Sequence, residues 1–218
     1  MPIFVVGNNK TGTTSVAAWA RHSGIPVDAQ RPFVNIFVRH SVGELDVSMF
    51  HKELAARIKE GFLYQDLPFS WPGVWEFLVM TFPNAQYLYS QRSGEQWYSS
   101  LIRHHARRVG FNLDRSSAQM GMPTRALDLL GTQEFHGFPF LDVVSSLYKT
   151  PKDDPYHRDS LLAYHADHEE LASQLFPKPS FLKFSLADHQ APMKLANFLN
   201  ISTICQFPRI VPGGHKER

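Results

Sequence analysis

The sequence predicts an α/β fold with three layers, α/β/α, built on a central parallel sheet. Two observations predict it. Short apolar or alternating segments take turns with longer segments of helical periodicity, which is typical of parallel strands joined by helical crossovers. In addition, the first apolar segment leads directly through a loop rich in Gly, Asn and Thr into a helix, which is the usual opening of such a sheet.

Composition limits the possible classes of protein. With 218 residues, 43% of them hydrophobic, the chain can bury one substantial core, and a single domain over residues 1–218 is predicted. The formal net charge of +2 without a long cationic run does not favour a nucleic-acid partner. The only cysteine, Cys205, rules out an internal disulfide and suggests a cytoplasmic location. No stretch approaches the roughly 18 apolar residues of a membrane span, so none is expected.

The elements of the first half follow from periodicity and from turn residues. We predict a strand, two helices, a second strand and a helix, at residues 3–6, 14–22, 42–60, 62–65 and 75–81. The second strand ends before Pro68, because proline cannot continue strand pairing.

The second half repeats the pattern. We predict a strand, two helices, a strand and a helix, at residues 85–91, 94–109, 158–175, 181–184 and 192–199. Residues 111–155 lie between the two long helices and are rich in Gly, Pro and Ser, so we expect a lid or an insertion there.

The loop after the first strand predicts an anion site. Gly7 and Gly12 stand five positions apart, and Thr13 and Thr14 open the helix. Backbone N–H groups of such a loop and the N-terminus of the helix point at the same place, where phosphate or sulfate binds. The loop is P-loop-like, since residues 7–14 match the Walker A pattern except that Thr13 stands where the lysine should be.

The displaced lysine and the end of the next strand separate two chemistries. Lys10 lies inside the loop, and the strand at 85–91 ends in Arg92 instead of the aspartate that holds magnesium in a P-loop kinase. Arginine suits a terminal phosphate and cannot hold a metal, so we expect no metal. The plainer reading is that residues 7–14 form a polar turn and Arg92 is a surface residue.

Two motifs resemble the sulfotransferase family. The phosphosulfate loop of that family reads Lys-[Ser/Thr]-Gly-Thr-Thr and here is Lys10-Thr11-Gly12-Thr13-Thr14. The family also pairs an arginine at a strand end with a serine eight residues later at its 3′-phosphate site, as Arg92 and Ser100 are paired here. The family's Arg-Lys-Gly nucleotide loop is not recognisable, and Arg209 or Lys216 are the candidates for its task.

A third match concerns the catalytic base. Asp66-Leu67-Pro68 resembles the His-Leu-Pro segment that carries the base in cytosolic sulfotransferases. The resemblance implies a PAPS-dependent sulfotransferase, with 3′-phosphoadenosine 5′-phosphosulfate (PAPS) as donor, no metal, and a small-molecule hydroxyl as acceptor. The implied donor-binding residues are Lys10, Thr11, Gly12, Thr13, Thr14, Arg92 and Ser100. Lys10 and Asp66 are the implied catalytic residues.

Several readings stay open at this stage. Asp66 either acts as the base or only caps a turn, with His40 and His104 as reserve bases. His104 and His105 either line a site for an anionic acceptor or lie on a solvated helix face. His165 and His168 invite a metal reading, but they lack the order of zinc proteases and are more often incidental.

Aromatic residues near Asp66 and the function itself also allow alternatives. Four aromatic residues either line a pocket for an apolar or aromatic acceptor or simply belong to the core. They are Phe33, Phe37, Phe69 and Trp71. The alternatives to a sulfotransferase are a P-loop small-molecule kinase and a catalytically silent nucleotide-binding protein.

Overall fold

The computed structural model describes residues 1–202 and 206–208. Cys205, Arg209 and Lys216 lie outside the described residues. The elements follow in the order β1 (Ile3–Val5), α1 (Thr13–His22), α2 (Gln30–Ser41), α3 (Val47–Ala55), β2 (Leu63–Tyr64), α4 (Trp75–Thr81), β3 (Gln86–Gln91), α5 (Gly94–Arg108), α6 (Arg115–Gln119), α7 (Thr124–Gly131), β4 (Glu134–Phe135), β5 (Phe138–Pro139), α8 (Phe140–Tyr148), α9 (Arg158–Leu175), β6 (Phe181–Ser185) and α10 (Ala191–Phe198).

The chain divides into two compact units. We call Met1–Gln91 together with the chain from Leu175 onward the sheet unit, and Arg92–Gln174 the helical unit. Residues 111–155, the predicted lid or insertion, fall entirely within the helical unit. The expectation of one domain with a lid stays a prediction.

A four-stranded parallel sheet organises the sheet unit. Its strand order is β2-β1-β3-β6, and every neighbouring pair is parallel. The carboxyl ends of parallel strands therefore meet at one edge of the sheet, where open α/β sheets bind their ligands. The loop after β1 and the segment after β2 both start from that edge.

The two faces of the sheet are covered by different side chains, because successive residues of a strand point to opposite faces. On one face, Ile3 and Val5 pack in a buried cluster with Trp19 of α1 and Leu195 of α10. On the other face, the Phe4 ring lies 5.3 Å from Phe69. On this face the rings of Phe33 (α2) and Phe69 pack with their centroids 5.1 Å apart. The rings of Trp75 (α4) and Phe176 pack with their centroids 5.2 Å apart. The predicted α/β/α layering around a parallel sheet is confirmed.

The helical unit has its own core. Trp97 and Leu101 of α5 are buried in one cluster with Leu130 of α7, Val144 of α8 and Leu161 of α9. The short antiparallel pair of β4 and β5 precedes α8. Aromatic rings give this core much of its volume, which suits a unit of few residues because each ring buries a large apolar area.

Most predicted elements are confirmed to within one residue at each end, and α4 and α9 have the predicted bounds. The helix predicted over residues 42–60 is confirmed only in its middle, as α3, and the sequence analysis does not predict α2. Gly43 follows α2 with a φ of 81° and ends that helix, so no helix begins at residue 42. Asp46 then caps α3 by accepting a hydrogen bond from the Met49 N–H at 2.8 Å. Pro32 is tolerated in the first turn of α2, where its missing N–H breaks no helical bond.

Candidate active site

The loop between β1 and α1 is fixed to strand β3. A Cβ atom on Gly7 would lie 2.9 Å from the backbone nitrogen of Ser90, so only glycine allows this approach. The Thr11 hydroxyl lies 2.7 Å from the Ser90 hydroxyl and donates to the Asn8 carbonyl at 2.6 Å. Thr11 is buried, and its side chain therefore shapes the loop.

Helix α1 begins directly behind this loop. Its N-cap is Gly12, which has a φ of 105° and no side chain that could cap the helix. The first N–H groups of an α-helix have no partner within the helix, so an anion can accept hydrogen bonds from them. Thr13 and Thr14 form the first turn, with Thr13 buried and Thr14 exposed.

The loop and the segment after β2 meet in the sheet unit. The Thr13 hydroxyl donates a hydrogen bond to the Asp66 carboxylate at 2.7 Å. A second contact joins the same two segments, because the Ser70 hydroxyl donates to the Asn9 side-chain oxygen at 3.0 Å. The structure thus brings the predicted base into contact with a predicted donor-binding residue.

The surroundings of Asp66 act on its pKa in opposite directions. Burial raises the pKa of Asp66 above its ordinary 3.8, while the Thr13 hydrogen bond and the charge of Lys10 act in the opposite direction. A carboxylate with a raised pKa takes a proton more readily than an exposed one. The charge of Lys10 thus acts on the Asp66 carboxylate.

Lys10 and Asp66 share an unusual backbone conformation. Their φ angles are 68° and 56°, in the left-handed region that few residues other than glycine adopt. Such conformations cost free energy and concentrate at functional sites. The two predicted catalytic residues are therefore held in place by the structure around them.

Arg92 and Ser100 belong to the helical unit. Arg92 precedes α5, and Ser100 lies on α5 with its side chain partly exposed. The His165 ring, on α9, bonds the Arg92 carbonyl at 2.9 Å through Nε2 and stacks on Trp97 with the ring centroids 4.7 Å apart. Because a carbonyl only accepts, His165 carries its proton on Nε2 and positions the Arg92 backbone.

Comparison with known proteins identifies the family. A family model described as "Sulfotransferase domain" matches residues 2–213. The chain belongs to this sulfotransferase family. A sulfotransferase from Alicyclobacillus acidocaldarius, known from a crystal structure, has a similar fold with a TM-score of 0.55 at 14% sequence identity, over 96% of this chain and 86% of that chain. None of the curated proteins compared with the chain matches it.

Family membership supports sulfotransferase activity. The role of each residue is inferred from its surroundings in the structure. His40, a reserve base, bonds the Leu45 carbonyl at 2.9 Å through Nδ1, and its ring stacks on Phe50 at 4.4 Å. Its Nε2 atom is thus the nitrogen that could accept a proton. His104, the other reserve base, is exposed on α5.

His105 and His168 have structural surroundings. His105 is buried, and its Nδ1 atom lies 2.7 Å from the Tyr156 hydroxyl. His168 is buried next to Tyr164. Within residues 1–202 and 206–208, no group of three or more His, Cys, Asp or Glu side chains is placed to hold a metal ion.

The four aromatic residues near Asp66 divide into two pairs. Phe33 and Phe69 are buried in the core beside the sheet. Phe37 contacts Trp71 edge-on at 5.3 Å, and Trp71 is partly exposed. Phe37 is buried as well, so of the four only Trp71 can reach a ligand from its present position.

Sequence reasoning missed several residues of both units. Ser70, Asn9 and Ser90 fix the loop, but a serine or asparagine in a polar segment carries no distinctive signal. Arg103 lies three residues after Ser100, and that spacing places both on one face of α5.

In the described part of the chain no helix is long and apolar enough to cross a membrane.

Replacing His165 with glutamine is expected to weaken the acid sensitivity of the protein. Burial is the main reason that the pKa of His165 lies below 6.5, with Arg92 lowering it further and Glu169 and the Arg92 carbonyl opposing. Below about pH 6.5 the unfolded chain binds a proton at this position that the folded chain does not bind. The free energy of unfolding therefore decreases as the pH is lowered. Glutamine keeps an N–H donor for the carbonyl and does not titrate.

Melting temperatures between about pH 5 and pH 7 test this expectation. Wild type should lose more stability on acidification than His165→Gln does. Other histidines are common to both proteins and cancel in the difference. If the melting temperatures of the two proteins changed equally with pH, burial would not be what lowers the pKa of His165.

Proposed function

We propose that this protein transfers the sulfuryl group of PAPS to a hydroxyl of a small-molecule acceptor, with a general base and without a metal. The observation that carries the proposal is the hydrogen bond from Thr13 to Asp66 at 2.7 Å. It joins the loop that resembles the phosphosulfate loop to the segment that resembles the base segment. Family membership supports the same reaction class.

The loop residues are suited to hold the donor's phosphosulfate. Gly12 leaves the first N–H groups of α1 without a side-chain cap, and Lys10 adds a positive charge. Donors placed where negative charge develops stabilise the transition state, because they need no reorganisation during the reaction. Thr11 contributes by shaping the loop through Ser90.

Asp66 is suited to take the acceptor's proton. The donor supplies a sulfuryl group, whose transfer breaks its bond to the 5′-phosphate oxygen and forms one to the acceptor oxygen. Asp66 accepts the proton that the acceptor hydroxyl loses and later releases it to water. The electron pair of the broken bond remains on the phosphate, where Lys10 and the loop N–H groups stabilise it.

The remaining assignments are extensions of the same proposal. Arg92 and Ser100 bind the 3′-phosphate of the nucleotide, since guanidinium and hydroxyl groups are good phosphate donors. An acceptor with an aromatic or apolar body suits Phe37 and the partly exposed Trp71. The single cysteine still suggests a cytoplasmic location.

A thermal-shift experiment tests the nucleotide assignment. We expect 3′-phosphoadenosine 5′-phosphate to raise the melting temperature more than adenosine 5′-phosphate does at the same concentration. The physical reason is that a ligand that binds the folded state more tightly stabilises it more, and Arg92 recognises the additional phosphate. Equal shifts from the two nucleotides would remove the Arg92 assignment.

The same experiment separates the alternative functions. A larger shift from ATP with magnesium than from 3′-phosphoadenosine 5′-phosphate would point to a kinase. Preference for the bisphosphate without transfer to any member of a panel of phenols and alcohols would point to a silent nucleotide-binding protein. Sulfuryl transfer to one of them supports the proposal.

A further inference from the structure

Two arginines of the helical unit are connected through one serine of α5. Ser99 is buried in α5, next to Ser100. Its carbonyl accepts a hydrogen bond from Arg103 Nε at 3.4 Å, and its hydroxyl donates to the Arg115 carbonyl at 3.3 Å. Ser99 therefore fixes Arg103 along α5 and the first residue of α6 beside it.

The side chain of Arg103 lies on the same face of α5 as Ser100. Residues three positions apart are neighbours on a helix surface, and Ser100 and Arg103 have that spacing. Both are partly exposed, so an ion from solvent can reach them. Arg115 is exposed at the start of α6.

The carboxylate next to Arg115 is committed to another task. Asp114 is the N-cap of α6, and it accepts hydrogen bonds from the Ser117 N–H at 2.7 Å and from the Ser116 hydroxyl at 3.0 Å. These bonds lower the pKa of Asp114 and hold its carboxylate at the helix end. The hydrogen bonds that Asp114 accepts thus come from Ser116 and Ser117 and not from the Arg115 guanidinium.

The charges of these arginines act on Arg92. Burial, then Arg103, then Arg115 lower the pKa of Arg92, so the charges of Arg103 and Arg115 each repel that of Arg92. His165 holds the Arg92 backbone at the beginning of the cluster. Repulsion between like charges costs free energy that a ligand with two negative charges relieves.

We propose that Arg103 and Arg115 join Arg92 in one phosphate site on the helical unit and set the preference of the enzyme for a nucleotide with a 3′-phosphate. This inference rests on the proposed function and deepens it. A phosphomonoester fits because it carries nearly two charges and three acceptor oxygens, which several guanidinium groups can share. A carboxylate or a single sulfate ester would neutralise less of the cluster.

Charge-removing variants test the site. We expect Arg103→Gln and Arg115→Gln each to weaken binding of 3′-phosphoadenosine 5′-phosphate by on the order of tenfold, as the loss of a charge-assisted contact does. Affinity for adenosine 5′-phosphate should change by less than about twofold, because it lacks the phosphate in question. Arg107→Gln, an exposed arginine on the same helix, is the matched control and should leave both affinities unchanged.

Stability without ligand gives an independent readout. Removing one of three repelling charges should keep or raise the melting temperature of the unliganded protein in Arg115→Gln, while nucleotide affinity falls. A variant that only disturbs folding would lower both. Isothermal titration calorimetry at two salt concentrations measures the affinities, and the dependence on salt should be weaker in the two variants than in wild type.

The outcomes distinguish this inference from the proposed function. If wild type binds the two nucleotides equally well, the proposed function fails, and the phosphate site fails with it. If wild type prefers the 3′-phosphorylated nucleotide and both variants keep that preference, Arg103 and Arg115 do not form the site, and only the inference is overturned. Loss of the preference in the variants and not in Arg107→Gln supports it.

Discussion

Asp66→Asn is expected to lower turnover by on the order of a hundredfold or more, while affinity for the nucleotide stays nearly unchanged. Asparagine keeps the size of the side chain and an oxygen that can accept the Thr13 hydrogen bond, but it cannot take a proton. Steady-state sulfuryl transfer and nucleotide titration on the same preparations measure the two quantities. Asp167→Asn, at an exposed position on α9, is the matched control.

Stability gives a second test of the same residue. Because the folded pKa of Asp66 lies above 3.8, the folded state holds a proton that the unfolded state has lost, and stability falls as pH rises through the folded pKa. Asp66→Asn removes this titration. The melting temperature of the variant minus that of wild type should therefore increase as pH rises from about 4 to 7.

Two results would contradict the role of Asp66. If Asp66→Asn kept most of its turnover, the base would have to be sought at His40 or His104. If turnover and nucleotide affinity fell in proportion, Asp66 would act on the loop through Thr13 and not on the acceptor. Either result leaves the phosphate site on the helical unit to be judged by its own experiment.

The contact between Thr13 and Asp66 explains how a parallel sheet builds the site. β1 and β2 are hydrogen-bonded neighbours, with Ile3 opposite Leu63. The segments that follow them leave the sheet at the same edge, so residues 53 positions apart in sequence come within 2.7 Å. Periodicity predicts both strands, but it does not state that they are neighbours.

The sequence predicts an element well where one local signal dominates. Helix α9 and strand β3 have clear periodicity and clear ends, and their positions are confirmed. The start of α3 depends on Gly43, which ends α2, and on the cap at Asp46, two short signals at the beginning of the helix predicted over residues 42–60. A prediction that weighs the whole segment passes over them.

The candidate site shows the same division. Glycines and the lysine of the loop form a recognisable spacing, so the sequence predicts the loop. Arg103 and Arg115 gain their importance only when Ser99 bonds both of them, and that depends on how α5 and α6 pack. No spacing in the sequence connects Arg115 with Arg92, because the link is made by tertiary contacts.

Lys10→Ala is expected to lower turnover by on the order of a hundredfold with folding intact. Lys10 contributes positive charge next to Asp66 and little to the core, and loss of one group that stabilises transition-state charge typically costs that much. The variant should also shift the pH dependence of turnover. Since the charge of Lys10 lowers the pKa of Asp66, its removal should move the acidic limb of the pH–rate profile to higher pH.

This shift distinguishes electrostatic action from a structural role of Lys10. A residue that only held the loop in shape would lower turnover at every pH by the same factor. Lys52→Ala, which removes an exposed lysine on α3, is the matched control and should leave the rate and its pH dependence unchanged. Normal turnover in Lys10→Ala, or a reduced turnover with an unmoved acidic limb, would contradict the assignment, because in either case the ammonium group would not act on Asp66 during the reaction.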